Sequence, residues 1–209
     1  MKQSQTVSKV VCLLVCLFGV SAVQAQRFDS ATQAKAVQDL SQFEEKLKAA
    51  GDRLNGFYLL TRMAPTALAA GDSVKAGDYA KTLLAMASDL QKDWNYGNAI
   101  HVGNLVLGEI ALDAGDLKEA KRYLLQAGDT PGSPQLNSFG PNMLLARELL
   151  EKGETEVVLK YFELCQRFWE VHGPERLEQW RADVANGRIP KFGANLIYGM
   201  EYRAQVAMR

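Results

Sequence analysis

Histidine and cysteine are both scarce in this chain of 209 residues, which contains two histidines and three cysteines. Two histidines cannot supply a His-rich metal site. Cys12 and Cys16 lie in the N-terminal apolar segment, so Cys165 has no intramolecular disulfide partner once that segment is removed. We therefore predict neither a disulfide, nor a metal site, nor a cofactor.

An excess of one charge sign is also lacking, since 24 basic side chains balance 24 acidic ones. Residues 1–25 contain two of the basic residues, Lys2 and Lys9, and no acidic residue. Without them the chain has 22 basic and 24 acidic side chains, which is a slight negative excess. Because nucleic-acid binding favours a basic surface, this balance argues against a nucleic-acid partner.

The only long apolar run lies at the N-terminus, over residues 10–20, and follows Lys2 and Lys9. Val23-Gln24-Ala25 then provides small residues at the positions typical of signal cleavage. The alternative is a membrane anchor, but the run is shorter than the roughly 20 residues that a bilayer requires. We predict a secretory signal peptide over residues 1–25, a mature chain that begins at Gln26, a periplasmic location, and no membrane span after cleavage.

A glycine followed by an aspartate marks the clearest structural pattern of the chain. Gly115 lies between two segments of helical periodicity, where a helix end favours the left-handed conformation that glycine adopts without strain. Asp116 is a favourable N-cap for the next helix, and Glu119 completes a capping box. We predict two antiparallel helices at this corner, with Gly108 and Ala120 allowing them to approach closely.

The same corner occurs three times, and each time a small or β-branched residue follows five positions later and a tyrosine eight positions later. The three copies are Gly71-Asp72 with Ala76 and Tyr79, Gly115-Asp116 with Ala120 and Tyr123, and Gly153-Glu154 with Val158 and Tyr161. This agreement predicts about three helix–turn–helix units, as in a helical-repeat array.

The middle unit, with Leu107-Gly108, Ala120, Leu124, Ala127 and Pro131, resembles the tetratricopeptide repeat. The resemblance extends over residues 57–169. Asn104 and Ala111 replace aromatic residues that are usual in the repeat, and the corners are 44 and 38 residues apart instead of about 34. The resemblance implies a right-handed stack of helix pairs, a concave face that binds a peptide or protein segment, and no catalysis.

We therefore predict an all-α fold: a tetratricopeptide-like array of about three antiparallel helix pairs, with an added N-terminal helix and C-terminal capping helices. The repeat domain would span residues 26–187, and an arm or helix over residues 188–209 would pack on it. The N-terminal helix would bury a stripe that includes Val37 and Leu40. Pro65 is expected to kink or break the following helix.

Two segments between helices are candidates for ligand contact. Residues 94–101 combine two aromatic residues, two asparagines and His101, although local packing and capping would explain the same residues. Residues 128–141 contain three prolines and three glycines, which disfavours a helix through them. They form either a functional loop or a rigid lid with Leu136 and Phe139 tucked onto the helices.

By analogy with the repeat, the predicted partner-binding face draws on the first helices of the central and third pairs. Its residues are Asn98, His101, Leu105, Glu109, Leu112 and Asp113 in the central pair, and Met143, Arg147, Leu150 and Glu151 in the third pair. This mixture of apolar and charged groups suits a peptide or protein partner better than a metal ion or a nucleotide.

Two other functions are weighed against binding. A structural component of an envelope assembly would use the terminal or convex faces of the array. An enzyme would require a catalytic pair such as His101 and Glu109, but these lie about 12 Å apart along one helix. Cys165 is interpreted as a packing thiol, since His172 lies about 10 Å further along the helix axis. We predict that the protein is not an enzyme.

Overall fold

The computed structural model describes residues 30–200, and in this range the fold is all-α, as predicted. The described range contains nine α-helices, a short 3-10 helix (Gly193–Leu196) and no strand. The α-helices are α1 (Ser30–Ala49), α2 (Arg53–Ala69), α3 (Ser73–Asp89), α4 (Tyr96–Asp113), α5 (Leu117–Gly128), α6 (Pro134–Phe139), α7 (Leu144–Glu151), α8 (Thr155–Cys165) and α9 (Gly173–Ala185). The predicted signal peptide and residues 201–209 lie outside the described residues.

Three helix pairs form the body of the array: α2 with α3, α4 with α5, and α7 with α8. Helix α4 also contacts both helices of the first pair, and α5 contacts both helices of the third. Helix α1 packs on α2, and α9 packs on α8. Both ends of the array are therefore covered, as an array needs when its terminal pairs would otherwise expose an apolar face.

Left-handed glycines connect the two helices of each pair. Gly71, Gly115 and Gly153 have φ angles of 86°, 79° and 82°. In each case the N–H of the next residue donates to a carbonyl five residues earlier, which is the Schellman motif. The acceptors are the carbonyls of Ala67, Ala111 and Leu149. Because the motif leaves almost no loop, the second helix turns back along the first.

The aspartates at the first two corners are N-caps, as predicted. Asp72 Oδ1 and Asp116 Oδ1 accept hydrogen bonds from the backbone N–H three residues later, at 2.9 and 3.0 Å. Glu154 at the third corner makes no side-chain cap. Its carboxylate instead accepts a hydrogen bond from Lys121 Nζ at 2.8 Å, which links α5 to the start of α8.

Small residues bring α4 close to its neighbours, also as predicted. A Cβ atom added to Gly108 would lie 2.4 Å from Leu145 Cδ2 and 3.2 Å from Tyr123 Cβ. Ala120 on α5 is completely buried. The central pair and the third pair therefore meet at a contact that leaves no space for a larger side chain on α4.

The tyrosine that recurs after each corner has three different environments. Tyr79 donates a hydrogen bond to Glu44 at 2.7 Å, and burial together with this carboxylate raises the pKa of Tyr79 to about 12. Tyr161 is completely buried and donates to the carbonyl oxygen of Asn142 at 2.8 Å. The guanidinium carbon of Arg122 lies over the ring of Tyr123, 4.0 Å from its centroid. The shared position thus serves packing in each unit, with a different polar partner.

Aromatic side chains cover the C-terminal end of the array. Phe162 on α8, Trp180 on α9, Trp169 between these helices and Phe192 after them form a cluster with ring centroids 4.9 to 6.2 Å apart. All four side chains are almost fully buried. Their burial attaches α9 and the chain that follows it to the third pair.

Two details of the first helices differ from expectation. Val37 is 53% exposed, because the stripe that α1 buries consists of Thr32, Ala36, Leu40 and Phe43. Helix α2 continues through Pro65 to Ala69. Every residue from 63 to 69 is buried. The free energy gained by this burial offsets the loss of the helical hydrogen bond that Pro65 cannot donate.

The proline- and glycine-rich segment also contains a helix, α6, contrary to prediction. The Ser133 hydroxyl accepts a hydrogen bond from the Leu136 N–H at 3.0 Å and caps the helix. Pro134 occupies the first turn, where its missing N–H costs nothing, and Gly140 ends the helix with a φ of 83°. The prolines and glycines therefore define the ends of a short helix instead of excluding one.

Candidate functional site

A cavity of about 450 Å³ lies beside the N-terminal end of α4. It is enclosed by α2, the segment before α4, α6, and two residues of the C-terminal arm, which we define as residues 188–200. Its lining residues are Tyr58, Thr61, Arg62, Trp94, Asn95, Asn98, His101, Val102, Gln135, Leu136, Tyr198 and Gly199. Parts of both segments singled out from the sequence therefore meet in one place.

Two buried asparagines connect the sides of the cavity. Asn98 Nδ2 donates to Asn95 Oδ1 at 3.0 Å and to Gln135 Oε1 at 3.2 Å. Asn98 Oδ1 accepts from the Ser133 hydroxyl at 2.7 Å. Asn95 Nδ2 in turn donates to Thr61 Oγ1 at 3.0 Å. This amide network joins α2, the start of α4 and α6, and so fixes the shape of the cavity.

Aromatic rings stand at two sides of the cavity. Tyr58 and Trp94 stack with centroids 5.3 Å apart, and Trp94 is 52% exposed. The Tyr58 hydroxyl donates a hydrogen bond to Asp93 at 2.9 Å. The pKa of Tyr58 is raised mainly by burial and to a smaller extent by this hydrogen bond. Tyr198 also lines the cavity, and the centroid of its ring lies 5.3 Å from that of Phe139. Phe139 is 62% exposed and Leu136 is buried, so only Leu136 packs on the helices as the lid alternative expects.

Two glycine backbones in contact hold the loop before α6 against α4. A Cβ atom added to Gly97 would lie 1.7 Å from the carbonyl oxygen of Gly132. The Thr130 hydroxyl donates to the Gly97 carbonyl at 3.1 Å. This approach is possible only because position 97 has no side chain, and it determines where Gln135 and Leu136 enter the cavity.

His101 has both ring nitrogens engaged. Nε2 accepts a hydrogen bond from the Asn142 N–H at 3.0 Å, so Nδ1 carries the proton and donates to the Ala127 carbonyl at 2.9 Å. Burial lowers the pKa of His101 to about 4, against an opposing contribution from the Ala127 carbonyl. The side chain is therefore a satisfied polar group, as interpreted from the sequence. Neither nitrogen is available as a general base at neutral pH.

The C-terminal arm crosses the array from the third pair to the first. Asn142 Nδ2 donates to the carbonyls of Leu196 and Tyr198 at 3.2 and 2.9 Å. Asn195 Nδ2 donates to the carbonyls of Phe139 and Pro141 at 3.0 and 2.9 Å. The arm then places Met200 in the hydrophobic cluster of α1 to α4. Tyr198 and Gly199 border the cavity because these contacts hold the arm across it.

Several residues predicted for an open groove are instead buried. Leu105, Glu109 and Met143 are at most 1% exposed, and Leu112 is 4% exposed. The physical reason is that α4 contacts five helices: α2, α3, α5, α6 and α7. These side chains pack between helices, so their assignment to a partner-binding surface is corrected.

The remaining predicted residues divide between the cavity and the surface. Asn98 and His101 line the cavity. Arg147 and Glu151 form an ion pair at 3.0 Å on α7, and Asp113 is partly buried near the end of α4. These three residues do not line the cavity, so the structure does not bring them together with Asn98.

Sequence reasoning missed the contributions of α2, α6 and the arm to the cavity, namely Tyr58, Thr61, Arg62, Gln135 and Tyr198. One signal was present. Arg62 is the only charged residue between Leu54 and Ala69. A charge in the middle of an otherwise apolar helix indicates an opening to water at that point.

Cys165 is completely buried beside Tyr161. Burial raises the pKa of its thiol well above the ordinary value, so the thiol stays protonated at neutral pH. His172, the alternative activating group, is exposed. The interpretation of Cys165 as a packing residue is confirmed.

Two features are absent from residues 30–200. No three His, Cys, Asp or Glu side chains in this range lie close enough together to hold a metal ion. None of the helices described there combines the length and apolarity needed to cross a bilayer. Comparison of the chain with protein-family models, with curated protein sequences and with solved structures gave no match.

Proposed function

We propose that this protein is an exported binding module with a tetratricopeptide-like plan, and that it holds a peptide segment of a partner protein in the cavity beside α4. The observation that supports this proposal is the convergence of aromatic rings and amide groups from four separate parts of the chain on one opening.

The size and lining of the cavity suit a short peptide. Its volume of about 450 Å³ lies within the range of roughly 300–1,000 Å³ typical of ligand pockets. Val102, Leu136 and the rings of Tyr58 and Trp94 provide apolar contact. The Nε2 group of Gln135, which makes no hydrogen bond to another residue of the described range, can donate to a carbonyl of an extended peptide backbone.

The amide network supports a site whose shape exists before the ligand binds. Asn98 is 9% exposed and Asn95 is 4% exposed, and hydrogen bonds hold both side chains in place. A preorganised site loses less conformational entropy on binding, so a few contacts suffice for useful affinity. Trp94 is the exposed aromatic residue that a ligand would reach first.

Binding is favoured over catalysis at this site because both ring nitrogens of its one histidine, His101, are hydrogen-bonded to the backbone. His101 holds the Ala127 carbonyl and the Asn142 N–H, and its pKa of about 4 keeps it neutral. Export and a periplasmic location rest on the signal-peptide pattern of residues 1–25. N-terminal sequencing of the exported protein should give Gln26 as the first residue, and an intact Met1 would contradict export by cleavage.

Site-directed photo-crosslinking tests the binding proposal. A benzophenone amino acid is placed at position 94 in intact cells, and at Val171 as a matched control that is 62% exposed and does not line the cavity. We expect an adduct at position 94 that is absent at position 171, and mass spectrometry identifies the attached segment.

A synthetic copy of that segment is then titrated against the purified protein. Trp94→Ala should weaken its binding about tenfold or more, since aromatic contacts at the centre of an interface carry much of the binding energy. Identical adducts at both positions, or equal affinity in Trp94→Ala, would reject the cavity as the binding site.

A further inference from the structure

Among the described residues that line the cavity, Arg62 is the one with an ionised side chain, since the pKa of about 4 keeps His101 neutral at pH 7. The Arg62 guanidinium carbon lies 4.6 Å from the centre of the Phe43 ring, which holds it over an aromatic face. Among residues 30–200, no carboxylate forms an ion pair with Arg62. The charge is therefore positioned by stacking and has no counter-ion in the described part of the protein.

Asp93 is an acidic side chain that is hydrogen-bonded to residues of the lining. Asp93, which adjoins the cavity, accepts hydrogen bonds from the Tyr58 hydroxyl and from the Asn95 N–H. Its carboxylate does not belong to the lining of the cavity. The described residues that line the cavity thus carry one net positive charge.

The polar groups left open to a ligand are mainly donors. Gln135 Oε1 and Asn98 Oδ1 already accept hydrogen bonds within the network. Gln135 Nε2 and the Arg62 guanidinium make no hydrogen bond to another residue of the described range, and both residues line the cavity. A ligand that fits must therefore offer acceptors, and a carboxylate offers more of them than any other group of an unmodified peptide.

We propose that the peptide segment bound in the cavity carries a carboxylate that pairs with Arg62 and accepts a hydrogen bond from Gln135 Nε2. This inference rests on the peptide-binding function proposed above and adds the chemistry that selects the ligand. The carboxylate is supplied either by an acidic side chain or by a free C-terminus, since both present the same two oxygen atoms. An apolar side chain beside it would lie against Trp94 or Leu136.

Three pools of N-acetylated hexapeptides test this proposal on the purified full-length chain. All pools have random Ala, Leu, Phe, Asn and Ser residues at their variable positions. The first pool ends in a free carboxylate, the second ends in an amide and has Asp at its third position, and the third ends in an amide and has Asn there. The fraction of each pool retained by the immobilised protein is measured by mass spectrometry. Arg62→Gln is compared with Arg167→Gln, a matched control whose exposed arginine pairs with Asp129 and does not line the cavity.

We expect retention of at least one acidic pool about threefold to fivefold above the Asn pool, since Arg62 is exposed and water weakens the pair. This preference should disappear in Arg62→Gln and persist in Arg167→Gln. The acidic pool that is preferred identifies the source of the carboxylate, a side chain or a chain end.

Three other outcomes would each contradict one part of the proposal. Equal retention of all pools above a blank column leaves peptide binding in place and rejects the carboxylate. An acidic preference that survives in Arg62→Gln rejects the assignment to Arg62. Retention of no pool above the blank rejects the peptide-binding function together with the inference.

Discussion

The imidazole of His101 on α4 accepts a hydrogen bond through Nε2 from the backbone N–H of Asn142, a residue 41 positions later that precedes α7. Through Nδ1 the same ring donates to the last turn of α5. One neutral side chain thus joins three elements of the array. Asn142 continues the connection, because its side chain holds the C-terminal arm at two carbonyls.

Stability should therefore depend on the protonation of His101. Burial lowers its pKa from 6.5 to about 4 in the folded state. Between these two pH values the unfolded chain binds the proton and the folded chain does not, so the free energy of unfolding falls as the pH falls. The loss should approach about 3 kcal/mol between pH 7 and pH 4. Urea unfolding at a series of pH values measures it.

His101→Gln should lower stability at pH 7 and make its pH dependence shallower between pH 4 and 6.5. Carboxylates contribute equally to both proteins, so the difference in slope isolates the histidine. His172→Gln is the matched control, since that ring is exposed, and it should keep the wild-type stability at pH 7. If His101→Gln and the wild type lose stability in parallel, the buried neutral ring does not have the proposed role.

Gly97→Ala should destabilise the protein, although alanine favours a helix more than glycine does. The added Cβ would lie 1.7 Å from the Gly132 carbonyl oxygen, so the loop before α6 would have to move. We expect a loss of at least about 2 kcal/mol, as for overpacking against a rigid backbone. Urea unfolding of the variant at pH 7 checks this value.

Gly77→Ala is the control for helix propensity. Gly77 lies inside α3, and a Cβ there would meet only Ile110 Cδ1 at 3.6 Å, an ordinary contact. This variant should gain up to about 1 kcal/mol. Equal effects of the two substitutions would mean that the contact between Gly97 and Gly132 carries no strain for a side chain.

Asn195→Ala should release the arm from the array. The substitution leaves the carbonyls of Phe139 and Pro141 without their donor, at a cost of about 1–3 kcal/mol. Local opening then becomes more frequent, and trypsin should cleave after the exposed Lys191 about tenfold faster. Mass spectrometry of timed digests measures the rate.

Asn186→Ala is the control, because it removes only an exposed hydrogen bond to the Ala182 carbonyl at the end of α9. Trypsin should digest this variant at the wild-type rate. Faster digestion of both variants would argue against a specific role of Asn195.

Local chemistry explains why the helix pairs could be predicted from the sequence. Gly115 adopts the left-handed conformation of the corner without strain, and Asp116 caps the next helix with its own side chain. Such signals depend on a few adjacent residues. The same logic, applied to the ends of α6, would have identified Ser133 and Pro134 as a helix start. The number of prolines and glycines in residues 128–141 argues against a helix only when their positions are ignored.

The cavity could be predicted only in part, because most of it depends on contacts between distant residues. Asn98 and His101 were recognised from their position at the entry to α4. The sequence predicts that residues 188–209 pack on the array but does not give their position, since Asn142 and Asn195 act through carbonyls that a sequence pattern does not show. Glu109 was assigned to an open surface because one helix pattern cannot reveal that five neighbours cover α4.

The corners also allow a direct comparison between a cap and a surface ion pair at equivalent positions. Asp116→Ala removes the acceptor for the Glu119 N–H and should cost about 1 kcal/mol of stability. Glu154→Ala removes only the pair with Lys121, in which both side chains are partly exposed, and should cost less than about 0.5 kcal/mol. Raising the salt concentration should reduce the second cost and leave the first nearly unchanged, since the cap depends on a short hydrogen bond to the backbone. Urea unfolding of both variants at low and high salt measures these four stability changes. A larger loss of stability in Glu154→Ala than in Asp116→Ala would contradict the prediction. It would mean that the ion pair between Lys121 and Glu154 stabilises the third corner more than the Asp116 cap stabilises the second.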